Sequence, residues 1–240
     1  MKLFRCLSAF AVAILVGIGP ISAEEPFFMT SQGSSLLYKT FSPGSDMAYQ
    51  RDSLVSVEGD FLNGSARVAT VFYDGNMQRQ SAVLTFMKFV NGESMVDWAA
   101  MFTYMMTEML EESGVEASQE DRDKLDGSVT VKGEVYGIPN DIVEGQILPD
   151  YKMSVKVTFL KTTVRGFDRK VVSRESITVP AGTFDCFVVE ETQDVRNLFM
   201  KEHVRSRTWY ARGIGAVKVQ EYDSDGYLIT EQELVEKDIK

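Results

Sequence analysis

Ile177-Thr-Val-Pro-Ala-Gly-Thr-Phe-Asp-Cys-Phe-Val-Val-Glu190 is the stretch that decides the fold. Pro180 and Gly182 interrupt two β-rich halves, since Pro fixes φ and lacks a ladder donor while Gly tolerates a positive φ. The stretch therefore predicts a strand, a tight turn and a second strand. A later segment, residues 208–219, places two glycines between a Trp-Tyr pair and an alternating Val-Lys-Val run, which predicts a sharply bent neighbouring strand. Both patterns indicate architecture and carry no catalytic motif.

The N-terminus has the three parts of a secretory signal peptide. Lys2 and Arg5 form the positive end, residues 7–18 the apolar run, and Ile21-Ser22-Ala23 the small-residue cleavage site. We expect residues 1–23 to be removed, which leaves 24–240 as a single β-rich domain. The same signal predicts export to the periplasm or cell envelope. No later segment is long and apolar enough for a membrane helix, so the chain is not expected to span a membrane.

The charge balance is acidic. The full chain has 25 basic and 35 acidic residues, and loss of the two basic residues of the leader takes the net charge from −10 to −12. Averaged over the surface, such a charge repels nucleic acid and anionic membrane faces. Maturation also removes Cys6 and leaves Cys186 as the single thiol, so an intramolecular disulfide is excluded. Cys186 lies in an apolar run, where a small buried side chain is the expected interpretation.

Short β-rich runs fill most of the chain. Turn signals of the Asn-Gly and Asp-Gly type separate them at 63–64 and 74–75, and residues 153–159 alternate apolar and polar side chains. Such dipeptides favour hairpins because both residues accept a positive φ, and the alternation is typical of a strand with one buried face. About nine to eleven strands at this spacing predict one antiparallel sheet large enough to curl.

One segment has a helical period instead. Apolar residues recur at steps of three and four between Met95 and Met109, and five of the twelve Met residues lie in that interval. Ser94 with Asp97 resembles a capping box, and Gly114 is placed to end the helix. The pattern predicts one long amphipathic helix over 94–112.

No catalytic or metal-binding set stands out. His203 is the only imidazole and lies in a strand-like run, so a triad has no support, although carboxylate chemistry stays open among 35 acidic residues. Asp223 and Asp225 before Gly226 resemble the start of a calcium loop, but its twelfth position is Leu234 rather than Glu, so a hairpin turn is favoured. Zinc needs clustered Cys and His ligands, which the mature chain lacks. We expect no enzyme and no cofactor.

Two features could serve binding. Three arginines, at 205, 207 and 212, bracket an aromatic pair and could stack on an anionic ligand, although cross-strand pairing is the simpler interpretation. The Met-rich helix could accommodate varied apolar partners because thioethers repack easily, although plain core packing explains the same stripe. The candidate residues for lining an apolar ligand site are Trp98, Phe102, Met105, Met106, Met109 and Trp209.

Three motifs together carry a family resemblance. They are Val179-Pro-Ala-Gly-Thr-Phe-Asp-Cys186, Trp209-Tyr-Ala-Arg-Gly-Ile-Gly-Ala-Val-Lys218 and Tyr222-Asp-Ser-Asp-Gly226. With Val143-Glu-Gly-Gln-Ile-Leu-Pro-Asp150 upstream, the chain resembles the TapB-like group of exported bacterial proteins, within the domain of unknown function 3108-like family. The resemblance is clearest from residue 136 onward. It implies an exported β-rich protein of a Gram-negative bacterium, without an established activity and without assigned catalytic residues.

The helix must bury its stripe and a one-sided sheet must cover its apolar face, so the two elements are expected to pack together. The predicted fold is a mainly β, curved antiparallel sheet forming a partly closed barrel, with the helix on its concave side or mouth. We expect an exported, non-catalytic protein that binds an apolar or lipid-like molecule inside this sheet. The alternative is a structural or interaction protein of the cell envelope, with a filled core and an envelope protein as its partner. Nucleic acid is not an expected partner, and the sequence leaves the oligomeric state open.

Overall fold

A computed structural model describes residues 24–112, 129–134, 136–157, 160–199 and 201–240. The predicted signal peptide and Gly114 lie outside these residues. The described residues form one helix, α1 (Trp98–Glu112), and thirteen strands: β1 (Ser35–Phe41), β2 (Ala48–Gly59), β3 (Asn63–Tyr73), β4 (Arg79–Val90), β5 (Glu93–Val96), β6 (Val129–Glu134), β7 (Ile138–Pro139), β8 (Tyr151–Val157), β9 (Leu160–Val179), β10 (Gly182–Arg196), β11 (Lys201–Ala211), β12 (Gly215–Tyr222) and β13 (Leu228–Asp238).

All thirteen strands belong to one antiparallel sheet with the order β6-β8-β9-β10-β11-β12-β13-β1-β2-β3-β4-β5-β7. The prediction of a mainly β, antiparallel fold is confirmed, with more strands than expected. The hairpin at Pro180 is also confirmed: Val179 pairs with Gly182, whose φ of 133° lies in a region that favours glycine. Cys186 is fully buried in the main core, and burial raises the pKa of its thiol to about 12.

The two edge strands of the sheet, β6 and β7, are neighbours in sequence. Only residues 135–137 connect them, and a link of this length spans at most about 14 Å. The sheet therefore curls until its ends lie near each other. No hydrogen-bonded ladder joins β6 to β7 in the described ranges, so the predicted partly closed barrel is not supported. The described edges are close in space without pairing.

The helix is shorter than predicted. Ser94 belongs to strand β5, and Asp97 is the N-cap, because its carboxylate accepts a hydrogen bond from the Ala100 amide at 3.1 Å. The signal for β5 was the Asn91-Gly92 dipeptide, whose φ values of 52° and 78° form the turn that returns the chain from β4. α1 contacts β4 near one end of the sheet and β6 at the other end. The helix thus bridges the two ends of the sheet. Among the described residues, no helix is long and apolar enough to cross a bilayer.

Candidate functional site

The curled sheet borders a cavity of about 510 Å³ beside α1, which is open to solvent on one side. Most of its wall is apolar and comes from both ends of the sheet, from α1 and from the segment before β1. Alternate residues of β8 and β9, among them Met153, Val155, Thr162 and Val164, face this space because side chains alternate across a strand. The cavity is of the size that small apolar molecules occupy in proteins.

Trp98 and Phe102 form the helical wall of the cavity. Their ring centroids lie 6.1 Å apart at an interplanar angle of 31°. One turn further along α1, Met105 is 39% exposed and does not border the cavity. The side chains of Met106 and Met109 lie outside the described part of the structure. The structure therefore brings together two of the six residues that the sequence singled out.

Trp209 is buried in the main core rather than at the cavity. Its indole N–H donates to the Glu175 carboxylate at 2.6 Å, and the Arg207 guanidinium lies 5.2 Å from its ring centroid. The next residue, Tyr210, borders the cavity instead, because neighbouring residues of a strand face opposite sides. Burial raises the pKa of Tyr210 to about 12, so its hydroxyl stays protonated at neutral pH.

A buried ion pair forms the polar part of the cavity wall. Arg169, only 2% exposed, donates through Nε to the Glu191 carboxylate at 2.6 Å. Its two terminal nitrogens each donate at 2.8 Å to a backbone carbonyl, one of Pro149 and one of Gly137. The guanidinium is therefore bonded on three sides, which a buried charge requires.

Tyr151 and Gln193 extend this polar network. The Tyr151 hydroxyl donates to Glu191 at 2.9 Å and accepts from the Gln193 amide at 2.7 Å. Burial, with the Glu191 charge as a second cause, raises the pKa of Tyr151 well above its usual range. Sequence reasoning missed this network because an Arg in a strand usually lies on a wet face. Arg169 and Glu191 are 22 residues apart on the two strands of the Pro180 hairpin, nearly equidistant from its turn, so the hairpin register was the signal that could have paired them.

Ser94 provides a further polar group in the cavity wall. Its hydroxyl oxygen is buried and has no hydrogen-bond partner within the described ranges. An unpaired buried hydroxyl destabilises a protein by about 1–3 kcal/mol. This oxygen exposes less than 1 Å² of surface, so a ligand with a polar atom could pair with it only after the neighbouring side chains shift.

The remaining sequence candidates lie away from the cavity. Arg212 ties down the segment before β1, donating at 2.7 Å to the carbonyls of Glu25 and Asn140, and lies 4.7 Å from the centroid of the Phe27 ring. His203 is exposed and bonds to Asp194 through Nδ1 at 2.8 Å, and this bond lowers the pKa of Asp194. Asp223 organises a hairpin turn, as expected, through bonds to the amides of residues 225 and 227.

A smaller cavity of about 290 Å³ adjoins the first, with Phe27, Phe28 and Met87 bordering both. It contains the Asp52 carboxylate, which accepts hydrogen bonds from the Thr70 hydroxyl at 2.7 Å and the Gln50 amide at 3.0 Å. Burial raises the pKa of Asp52 even though both hydrogen bonds oppose the shift. The second cavity thus holds a charge that burial disfavours.

The raised pKa of Asp52 predicts how stability depends on pH. The folded state holds the proton more tightly than the unfolded state, whose pKa is near 3.8, so this stabilising contribution is complete below that pH. It is lost as the pH rises through the folded pKa. Asp52→Asn removes the titration, so we expect its unfolding free energy, relative to wild type, to rise between about pH 4 and pH 7.

Urea melts across this pH range measure the difference. Asp60→Asn is the matched control, since the amides of Asn63 and Leu62 lower the pKa of that exposed carboxyl. Its difference from wild type should not rise between about pH 4 and pH 7, because stability from a lowered pKa is lost only as the pH falls below about 3.8, toward the folded pKa. A pH-independent difference for Asp52→Asn would show that water solvates this carboxylate in the folded protein.

Comparison with known proteins places the fold. The structure resembles a Bacteroides fragilis protein described as exported and as having a YmcC-like fold, with a TM-score of 0.62 and 15% identity over 89% of this chain and 99% of that chain. It equally resembles a protein described as a lipoprotein from Parabacteroides distasonis, with a TM-score of 0.62 and 18% identity over the same shares. At these identities the likeness shows the fold alone.

Sequence comparison gives a family without an activity. No curated protein matches the chain at a significant level. The model of the DUF3108-like family matches residues 102–234, which is more than half of the chain. The chain therefore belongs to the DUF3108-like family.

Proposed function

We propose that this protein is an exported, non-catalytic binder of an apolar or lipid-like molecule, which it holds in the cavity beside α1. The observation that carries the proposal is the cavity of about 510 Å³, lined by aromatic and aliphatic side chains with a single polar wall. Concave apolar pockets of this size with a few polar groups are the usual form of small-molecule sites, so the cavity favours a ligand. A filled core would instead have favoured the structural role.

The polar wall defines the chemical class of the ligand. The ion pair of Arg169 and Glu191 is internally neutralised, so the wall does not demand a charged partner. The Ser94 hydroxyl is the group left to pair. We infer an elongated apolar molecule with one polar head, of which a fatty acyl compound is an example.

Three supporting proposals accompany this function. Export to the periplasm or cell envelope rests on the tripartite N-terminus, and membership of the TapB-like group rests on the motifs quoted above. The absence of catalysis rests on the isolation of the reactive residues: His203 lies on an exposed face, whereas the Cys186 thiol is buried with a raised pKa. Turnover in a hydrolase screen that one Asp or Glu substitution abolishes would overturn the third proposal.

Native mass spectrometry of protein purified from its own host tests ligand binding. We expect a bound mass that organic extraction removes, and the same spectrum should place the mature N-terminus at Glu24. A clean apo mass, together with no saturable binding of an acyl-chain fluorophore, would favour the alternative of an envelope interaction protein.

A matched pair of variants tests the location of the site. Thr162 borders the cavity and Thr163 faces the opposite side of β9, where its hydroxyl is bonded to that of Ser154. Thr162→Trp should fill part of the cavity and weaken binding of the fluorophore at least tenfold, since a bulky ring excludes the ligand. Thr163→Trp should leave affinity unchanged. If Thr162→Trp unfolds the protein, Val164→Phe is a less drastic way to fill the cavity. Equal affinities for the fluorophore in all variants would place the ligand elsewhere.

A further inference from the structure

One face of the sheet is basic although the chain is acidic. The registers of β6, β8, β9, β10 and β11 align residues in rows across the strands: Lys132 lies in the row of Ser154, Thr163, Arg196 and Lys201, and Lys152 in the row of Arg165, Asp194 and His203. Lys156 and Lys161 form a third pair. The alternate residues of β8 and β9 border the cavity, so this basic face is the opposite side of the same strands.

The basic residues of this face are concentrated. The exposed members are Lys132, Lys152, Lys156, Lys161, Arg165, Arg196 and Lys201, and within the described ranges the five lysines form no ion pair. Among the side chains that the structure describes in these rows, the carboxylate is that of Asp194, which pairs with Arg196 and His203. Neighbouring rows are about 6.8 Å apart along the strands, and neighbouring strands are about 4.8 Å apart. Three rows over five strands therefore cover an area of about 14 by 19 Å. The net charge of −10 hides this local excess.

An apolar tip adjoins the basic face. The β10–β11 hairpin places Leu198 and Phe199 directly after Arg196, and they are 76% and 81% exposed. The Asn197 side chain accepts a hydrogen bond from the Phe199 amide at 2.8 Å, which shapes the turn. Exposed apolar side chains are common on protein surfaces, so this pair is informative only through its position beside the basic face. Arg196 pairs with Thr163, and continuing this register by two residues brings Leu198 level with Lys161, so the apolar tip adjoins the basic rows at one end of the sheet.

From this juxtaposition we propose that this end of the sheet docks on an anionic lipid bilayer, with Leu198 and Phe199 inserted and the lysines at the headgroups. Bilayers containing anionic lipids attract basic residues without a shaped pocket and accept isolated apolar side chains. A groove of about 310 Å³ on this face is bordered by Lys152, Arg165 and Arg196 and by the Asp194 carboxylate, which pairs with Arg196 at 3.4 Å. Three basic side chains against one carboxylate leave the groove basic, and its size suits one phosphate headgroup. The acidic remainder of the surface is repelled by the same membrane and would orient the protein.

This docking surface does not depend on the proposed ligand. Its test is flotation of the purified protein with two kinds of vesicle: phosphatidylcholine alone, and phosphatidylcholine with about one lipid in three replaced by phosphatidylglycerol. We expect binding to the anionic vesicles only, weakening with salt. Lys156→Gln/Lys161→Gln/Lys201→Gln should reduce affinity about 100-fold, since each basic residue near the surface contributes about fivefold. Lys39→Gln/Lys88→Gln/Lys237→Gln, the same charge change on β1, β4 and β13, should have little effect.

The apolar tip distinguishes a bilayer from other polyanions. Leu198→Ser/Phe199→Ser should weaken vesicle binding at least tenfold and leave the urea melt unchanged, because both side chains are already exposed. Three results would overturn the proposal: binding to neutral vesicles as strong as to anionic ones, an equal loss for both lysine triples, or a tip variant with wild-type affinity. Double-stranded DNA that competes with vesicles for wild type and tip variant alike would assign the face to nucleic acid instead.

Discussion

Arg169→Ala is expected to lower the free energy of unfolding by about 3–5 kcal/mol, because it leaves a buried charge without its partner. The Glu191 carboxylate would retain the hydroxyl of Tyr151 and the amide of Gln193 but lose the guanidinium at 2.6 Å. The carbonyls of Pro149 and Gly137 would lose their donor as well. Urea melts at pH 7 measure this loss.

Arg51→Ala is the control for this result. Arg51 pairs with Glu236 at 3.2 Å on a largely exposed surface, where an ion pair contributes at most about 1 kcal/mol. The double variant Arg169→Met/Glu191→Leu should recover part of the loss, because an apolar pair avoids the desolvation of both charges. If Arg169→Ala costs less than about 1 kcal/mol, water reaches Glu191 from the cavity and the polar wall is wet.

Phe89→Ala should destabilise the protein by about 3–5 kcal/mol. Phe89 is 2% exposed, and its ring centroid lies 5.0 Å from that of Phe61 and 5.4 Å from that of Phe28. The substitution removes these edge-to-face contacts and leaves a void that the surrounding strands can fill only in part. The measurement is the shift of the urea midpoint at constant slope.

Phe199→Ala provides the matched comparison, since the same chemical change at the exposed hairpin tip should cost less than about 0.5 kcal/mol. The loss of unfolding free energy for Trp98→Ala should lie between those for Phe89→Ala and Phe199→Ala, because Trp98 borders the cavity and is only partly buried. A loss at Phe89 no larger than at Phe199 would mean that the segment before β1 does not hold Phe28 against the core.

The sequence predicted much of the local structure because its determinants are local. The hairpin at Pro180 and the strand character of 153–157 follow from backbone preferences and alternation, which neighbouring residues specify. The predicted start of α1 at residue 94 was wrong for a related reason. Met95 fits a helical stripe as well as a short strand, and the Asn91-Gly92 turn was the signal that decides for the strand. Asn63-Gly64 also differs from expectation, since it opens β3 and the turn lies before it.

The site was less predictable. Trp98 and Phe102 could be named as cavity residues because a stripe on a helix must face the core. Arg169, Glu191 and Ser94 were not named. Local hairpins pair the strands that carry them, but only the curling of the whole sheet brings these strands to the border of one cavity. The sequence pattern favours a curled sheet, but it does not say which residues meet when the two ends approach.

The sequence by itself determined most of the strands and their turns, the helix α1 and the acidic total charge, because these depend on neighbouring residues or on composition. Only the tertiary structure decided that the described ends of the sheet come close without pairing, that a cavity remains beside α1, and that the lysines of β6, β8, β9 and β11 form one basic face. The physical reason is the strand register. It aligns residues far apart in sequence and separates neighbours onto opposite faces, so a chain that is acidic on average has a basic face.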